Sequence, residues 1–266
     1  MRKNSYSDFA GTTARRRTVR AKVFKNFNPI YTYMLSIIIP TLNERGNIDR
    51  LLGHLKPQMD DGDELIIVDG YSTDGTPEIA ERYDARVVSQ KPEGIGLAKT
   101  EGAKHARNDV LVFLDADCVP AGDFLSRIKS HFRNGDIHAV GGVDLYDSDS
   151  RLRKLLYDYY SKGVFYSAVL NHKITGKYWV AANNSAYRKD IFFSVGGFRS
   201  VVCEDMDMMQ RLPPSKKVKY DPDLVLTLSD RRFREGGFLR TLGLWLWSDI
   251  LLLVGKHADT VGYREG

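Results

Sequence analysis

The sequence predicts an α/β fold with a mostly parallel central sheet flanked by helices, and three observations carry that expectation. Short apolar runs alternate with helix-length segments from Leu35 to Leu114, the pattern of repeated βαβ units. Carboxylates recur where those runs stop, at Glu44, Asp69 and Asp115 to Asp117. Right-handed crossovers place such strand ends on one edge of a parallel sheet, where ligands bind. The length of 266 residues suits one large α/β domain, or a domain with appendages, and 42% apolar with 27% charged content is ordinary for a soluble globular protein.

The elements follow in order. Leu35 to Pro40 reads as a strand and Glu44 to Leu55 as a helix. Glu64 to Asp69 is a second strand, and a loop from Ser72 to Pro77 feeds a helix ending near Tyr83. Arg86 to Ser89 is a short third strand, Gly96 to Arg107 a helix, and Val110 to Leu114 the next strand. Beyond Gly141-Gly142 the alternation stops. Arg151 to Leu170 is a long helical stretch rich in Tyr and Phe, Lys177 to Tyr187 looks extended, and Cys203 to Leu212 looks helical. Val218 to Tyr220 and Leu224 to Ser229 suit two short strands.

The ends of the chain differ from its body. Residues 1–34 hold eight Lys and Arg against Asp8 alone, a net of +7, so the rest of this +5 chain sums to −2. That segment has no apolar h-region and little periodicity, which describes a basic, disordered arm and not a secretory signal. Phe238 to Val254 is apolar but interrupted by Arg240 and Asp249, so it falls short of the roughly 20 residues of a spanning helix. It is expected to form a C-terminal apolar helix, packed either on the fold or in a membrane interface. The expected division is therefore an arm over 1–34, a domain over 35–237, and a helix with its tail over 238–266. Cys118 and Cys203 lack zinc-site or disulfide spacing and read as small buried apolar groups in a reducing, cytoplasmic compartment.

The chemistry concentrates at Asp115-Ala116-Asp117, after the apolar run Val110 to Leu114. Two carboxylates one residue apart can share a hard cation, which binds through one or two carboxylates and substrate phosphates. A solvated acidic turn is the alternative. Glu44 and Asp69 stand where a carboxylate could accept from a base N–H or a ribose hydroxyl, or could cap a helix or build a turn. Gly94-Ile-Gly96-Leu-Ala-Lys99 is not a dinucleotide fingerprint, because Lys99 holds the third glycine position and the segment does not directly follow the first strand.

Ser36 to Glu44, Ile67 to Thr76 and Asp115-Ala-Asp117, taken in register, resemble family 2 of the GT-A glycosyltransferases, with matching order from about Leu35 through Leu212. The resemblance implies the GT-A fold, a nucleotide-diphosphate sugar donor, a lipid-linked or glycan acceptor, and Mg2+ or Mn2+. Pro40, Leu42 and Glu44 would line the base and ribose pocket, and Asp69 would bind the base. Gly94 to Lys99 would approach the nucleotide, with Lys99 on the diphosphate. Asp115 would contact ribose or metal beside Ala116, and Asp117 would hold the cation. Ala182-Asn183-Asn184 looks like the acceptor-side segment. Glu204-Asp205 resembles the motif that supplies the catalytic base of an inverting transfer, with Asp205 preferred and Glu204 second. Arg231 and Arg232 would close over the diphosphate, or form a solvated basic turn.

Two other readings stay open. A nucleotidyltransferase of similar fold should carry a glycine-rich basic loop after the first strand, where this chain has Pro40-Thr-Leu-Asn-Glu44. A non-catalytic sugar-nucleotide or glycan-binding module would not need Asp69, Asp115, Asp117 and Asp205 together. Nucleic acid is disfavoured as a partner, since only the arm would bind it. Peripheral contact with the cytosolic face of a membrane is the further expectation.

Overall fold

The computed structural model describes residues 33–247, apart from residues 134, 135, 177, 239, 242 and 244–246. The arm over 1–34 and the C-terminal apolar helix therefore lie almost wholly outside the described residues.

Buried Ile- and Val-rich runs build the sheet. β1 (Leu35–Thr41), β2 (Glu64–Asp69), β3 (Arg86–Ser89) and β4 (Val110–Leu114) form its parallel half in the order β3-β2-β1-β4. β1, β2 and β4 are covered on both faces, so they read as continuous apolar runs and not as alternations. Odd residues of β1 (Leu35, Ile37, Ile39) face one core, and Ile38 faces the other. α1 (Arg45–Leu55) buries Ile48, Leu51, Leu52 and Leu55 against the first face, the spacing of an amphipathic helix. α2 (Thr76–Glu81) links β2 to β3, and α3 (Ile95–His105) covers the opposite face.

The second half of the sheet is mixed. β5 (Cys118–Pro120), α4 (Phe124–Phe132), β6 (Ala139–Asp147), α5 (Arg151–Thr175), β7 (Asn184–Arg188), α6 (Lys189–Ser194), α7 (Glu204–Arg211), β8 (Val218–Ser229) and α8 (Arg231–Gly236) follow in sequence. β7 runs antiparallel to both β4 and β6, and β5 runs antiparallel to β8, while β6 and β8 are parallel. The sheet among the described residues is thus β3-β2-β1-β4-β7-β6-β8-β5.

Several expectations need correction. The extended stretch expected from Lys177 is a strand only from Asn184. The two short strands expected at 218–220 and 224–229 are one strand, with a register shift opposite Gly141 to Val143 that accommodates Asp221-Pro222. β5, α4, β6, α6 and α8 lie outside the elements that the sequence pattern predicts. β6 was hidden by Gly141-Gly142, which read as a break. A Cβ at Gly142 would collide with the Leu224 carbonyl, so glycine there permits close approach of β8 and does not end the strand.

Candidate donor and transfer site

Register decides which side chains meet. β1, β2 and β4 are parallel and adjacent, so their C-terminal ends deliver Thr41 to Glu44, Asp69 and Asp115 to one edge. β7 adds Asn184 directly opposite Leu114, one residue before Asp115. The end of β8 reaches the same place, where Ser229 N donates to Asp117 O at 3.3 Å, and this carries Arg231 to the acidic loop.

At the β1 end, Pro40 pairs with Val68 and is half-buried, and Leu42 is exposed at the rim. Glu44 is buried and divided between two partners. Its Oε2 accepts from Asn47 Nδ2 at 2.6 Å and its Oε1 from Arg231 Nη2 at 2.7 Å. Asp69 is a turn builder in this structure. Its Oδ1 accepts from Thr41 Oγ1 at 3.0 Å and Ser72 Oγ at 2.6 Å, and its Oδ2 from Ser72 N at 2.8 Å.

Asp115 and Asp117 take opposite neighbours. Asp115 Oδ1 lies 2.8 Å from the Nζ of Lys99, whose side chain is 1% exposed. Burial alone would lower the Lys99 pKa, yet Asp115 and then Glu204 hold it above the usual lysine range. Asp117 Oδ2 is 3.8 Å from Arg231 Nη2, beyond hydrogen-bond length. Burial first, then the charge of Asp115, raises the Asp117 carboxyl above its ordinary range, and Glu44 adds to this. Arg232 is exposed but acts on Asp117 through charge. Ala116 is buried between the two acids, and the Cys118 thiol behind them donates to Asp115 O at 3.0 Å. Burial pushes that thiol well above its usual pKa, which agrees with its reading as a small apolar group.

Lys99 also ties the acidic loop to α7, since its Nζ is 3.9 Å from Glu204 Oε1. Burial pushes the Glu204 carboxyl up to about 7, against the pull of Lys99. Asp205 is the next residue of α7's first turn, and its Oδ1 accepts from Met206 N at 2.8 Å. α7 is held here through α3. Gly94 is the N-cap of α3 and lies against Ser200, whose Oγ donates to Glu93 O at 2.8 Å. Thr100 Oγ1 donates to Phe198 O at 2.9 Å, and a Cβ at Gly96 would overlap the Arg199 carbonyl. The glycines of 94–99 therefore admit the 198–204 loop, and Lys99 points to the acids instead of standing free.

The sequence reading missed Asp144. This half-buried carboxylate of β6 accepts from Asn184 Nδ2 at 2.8 Å and Asn183 Nδ2 at 3.1 Å. Burial raises it to about 6 despite both amides, and Asp115 and Lys99 lie within its electrostatic reach. The available signal was an acid inside the apolar run Ala139 to Tyr146.

Among the described residues no cluster of three or more His, Cys, Asp or Glu side chains could hold a metal alone. The donor set fits a hard dication that shares its shell with substrate phosphates. It offers two carboxylates one residue apart, one of them raised by burial and then by the charge of its acidic neighbours, the second of which a cation would relieve.

With this geometry in view, the chain resembles known proteins. It is 34% identical over 114 residues to the low-salt glycan biosynthesis hexosyltransferase Agl6 of Haloferax volcanii, covering 42% of this chain and 27% of that protein. It is 31% identical over 113 residues to the dolichol-phosphate mannosyltransferase of Pyrococcus furiosus, covering 40% and 32%. The matched region thus spans about a third or less of each relative's length. Among solved structures, glucosyl-3-phosphoglycerate synthase of Mycobacterium tuberculosis, in complex with Mn2+, UDP-glucose and phosphoglyceric acid, superposes with a TM-score of 0.60. That match is 22% identical and covers 84% of this chain and 79% of the other, a likeness of fold. The profile of "Glycosyl transferase family 2" matches residues 36–196, more than half of the sequence, and the chain belongs to that family, with its GT-A fold.

Proposed function

We propose that this protein is an inverting glycosyltransferase that moves a sugar from a nucleotide-diphosphate donor to a lipid-linked or glycan acceptor. One observation carries the reading. Lys99 joins Asp115 of the acidic loop to Glu204 of α7, so a donor-side pair and an acceptor-side pair of carboxylates sit at fixed spacing on one sheet edge. The relatives support it, being named for hexosyl transfer and for mannosyl transfer to dolichol phosphate. The M. tuberculosis structure holds a sugar nucleotide with Mn2+.

In this reading Pro40, Leu42, Glu44 and Asp69 border the base and ribose, and Asp117 with Asp115 would hold Mg2+ or Mn2+. When bound, the cation offsets the charge that develops on the departing diphosphate. Arg231 turns from Glu44 toward the phosphates and Arg232 approaches from solvent, both suited to bidentate contact. Asp205 takes the proton of the attacking hydroxyl. Glu204, tied to Lys99, orients it. An acceptor that is already a phosphate anion needs no base, and Asp205 then only positions it.

A screen of UDP-, GDP- and dTDP-sugars for manganese-dependent release of nucleoside diphosphate, with and without a polyprenyl phosphate, tests the proposal. Release from at least one donor, faster with acceptor, is expected. Binding of sugar nucleotides with no turnover would favour a non-catalytic module.

A further inference from the structure

The outward face of α5 is apolar along its length. Leu152, Leu155, Leu156 and Tyr159 are exposed in its first half, and Tyr166, Leu170 and Ile174 continue the row, with Ile174 74% exposed. At 3.6 residues per turn these positions fall within an arc of about 100°, roughly opposite the buried Tyr157, Ser161 and Ala168. The row is about 33 Å long. Soluble proteins rarely leave so long an apolar strip facing water.

Charge selects among the occupants. Arg151, Lys162 and Lys173 follow one edge of the strip, and Lys162 Nζ stands 5.6 Å from the Tyr159 ring centroid. α5 holds five Lys and Arg against Asp158 alone, a net of +4, while the remainder of residues 35–266 sums to −6. A second copy seated on this face would set two +4 helices side by side, with like charges opposed. The N-terminal segment, at +7, is repelled for the same reason. An apolar face with Tyr side chains and a Lys/Arg border suits the boundary of a bilayer, and anionic headgroups complement the charge.

We propose that α5 docks lengthwise on an anionic lipid surface, with its apolar row at the acyl boundary and Arg151, Lys162 and Lys173 on headgroup phosphates. No helix of the described residues is long and apolar enough to cross a membrane, and this one lies along it. The contact is distinct from the one expected of Phe238 to Val254. The same helix also packs on β6 and α8, which carry Asp144 and Arg231 of the candidate site. Tyr157 and Phe233 stack at 5.0 Å, and Tyr160 lies 6.0 Å from Tyr146, which is two residues from Asp144. Docking therefore brings the acceptor side to headgroup level, where a lipid-linked phosphate presents itself; this last step rests on the glycosyltransferase reading, and the docking does not.

The test uses the full chain with vesicles of phosphatidylcholine alone or with phosphatidylglycerol added. Sedimentation with the anionic vesicles and slowed amide exchange over 151–175 are expected. Leu155→Gln/Leu170→Gln/Ile174→Gln should weaken partitioning at least about tenfold, and Lys162→Glu/Lys173→Glu should do so on anionic vesicles. Unchanged melting temperatures would show that these exposed variants fold. Protection confined to 1–32 or 248–266, or variants that bind as wild type does, would overturn the proposal. So would a wild-type dimer that the apolar variant dissolves without any vesicle binding. Donor turnover in detergent-free buffer is read in parallel. Its absence from wild type would count against the enzymatic reading and leave the docking result standing.

Discussion

Lys99 Nζ lies 2.8 Å from Asp115 Oδ1, with the lysine withdrawn from solvent and the aspartate at the open edge of the sheet. The same ammonium is the counter-charge for Glu204. Lys99→Met keeps the volume and deletes the charge, leaving acids from two motifs facing one another. Removing one partner of a buried pair costs about 3–5 kcal/mol, and because Asp115 is partly exposed the expected loss is about 3 kcal/mol. Urea denaturation measures it; a loss below about 1 kcal/mol would mean that the lysine does not hold the two motifs together.

The raised carboxyls predict a pH trend in chelator-treated protein. Glu204 at about 7 and Asp144 at about 6 bind protons more tightly folded than unfolded. Stability from these groups is present below their unfolded pKa values and declines as pH rises through about 6 to 7. Melting temperature should fall between pH 5 and pH 8, and Glu204→Gln should flatten the curve. A wild-type profile that rises over this interval would contradict the assignment.

Gly96→Ala tests the seating of the 198–204 loop. The added methyl overlaps the Arg199 backbone oxygen and meets Glu204 Cβ at 3.4 Å, so the loop that leads into α7 must move. A stability loss of about 1–3 kcal/mol is expected, together with a drop in transfer rate larger than any change in donor affinity. Calorimetry and steady-state kinetics separate the two effects.

Arg231→Gln should behave differently. Its link to Glu44 is partly solvent-exposed, so stability should change by less than about 1 kcal/mol. Under the proposed function the donor KM should rise about tenfold, the usual scale for one charged hydrogen bond to phosphate. An unchanged KM would leave Arg231 as a structural partner of Glu44.

The parallel half of the fold was legible because β1, β2 and β4 are buried runs whose ends coincide with polar residues; β2, β3 and β4 fall at the expected positions. The second half was not, because its two long strands carry Gly141-Gly142 and Asp221-Pro222, which resemble breaks and are close-packing and bulge positions. At the site, the meeting of Glu44, Asp69 and Asp115 at one edge followed from parallel order alone. The pairing of Lys99 with Asp115 and Glu204 did not, since nothing local distinguishes a lysine aimed at acids from one aimed at a phosphate. Asp144 escaped notice because its partners, Asn183 and Asn184, are about forty residues away.

Under the proposed function the two acidic motifs divide the labour, with Asp117 serving the leaving group and Asp205 the nucleophile. The most direct measurement is the affinity of the accepted nucleoside diphosphate, with and without Mn2+, in wild type, Asp117→Asn and Asp205→Asn. Mn2+ should tighten binding about tenfold or more in wild type and Asp205→Asn, and have little effect in Asp117→Asn. Affinity indifferent to Mn2+ in wild type, or lost on changing Asp205 and kept on changing Asp117, would contradict the account.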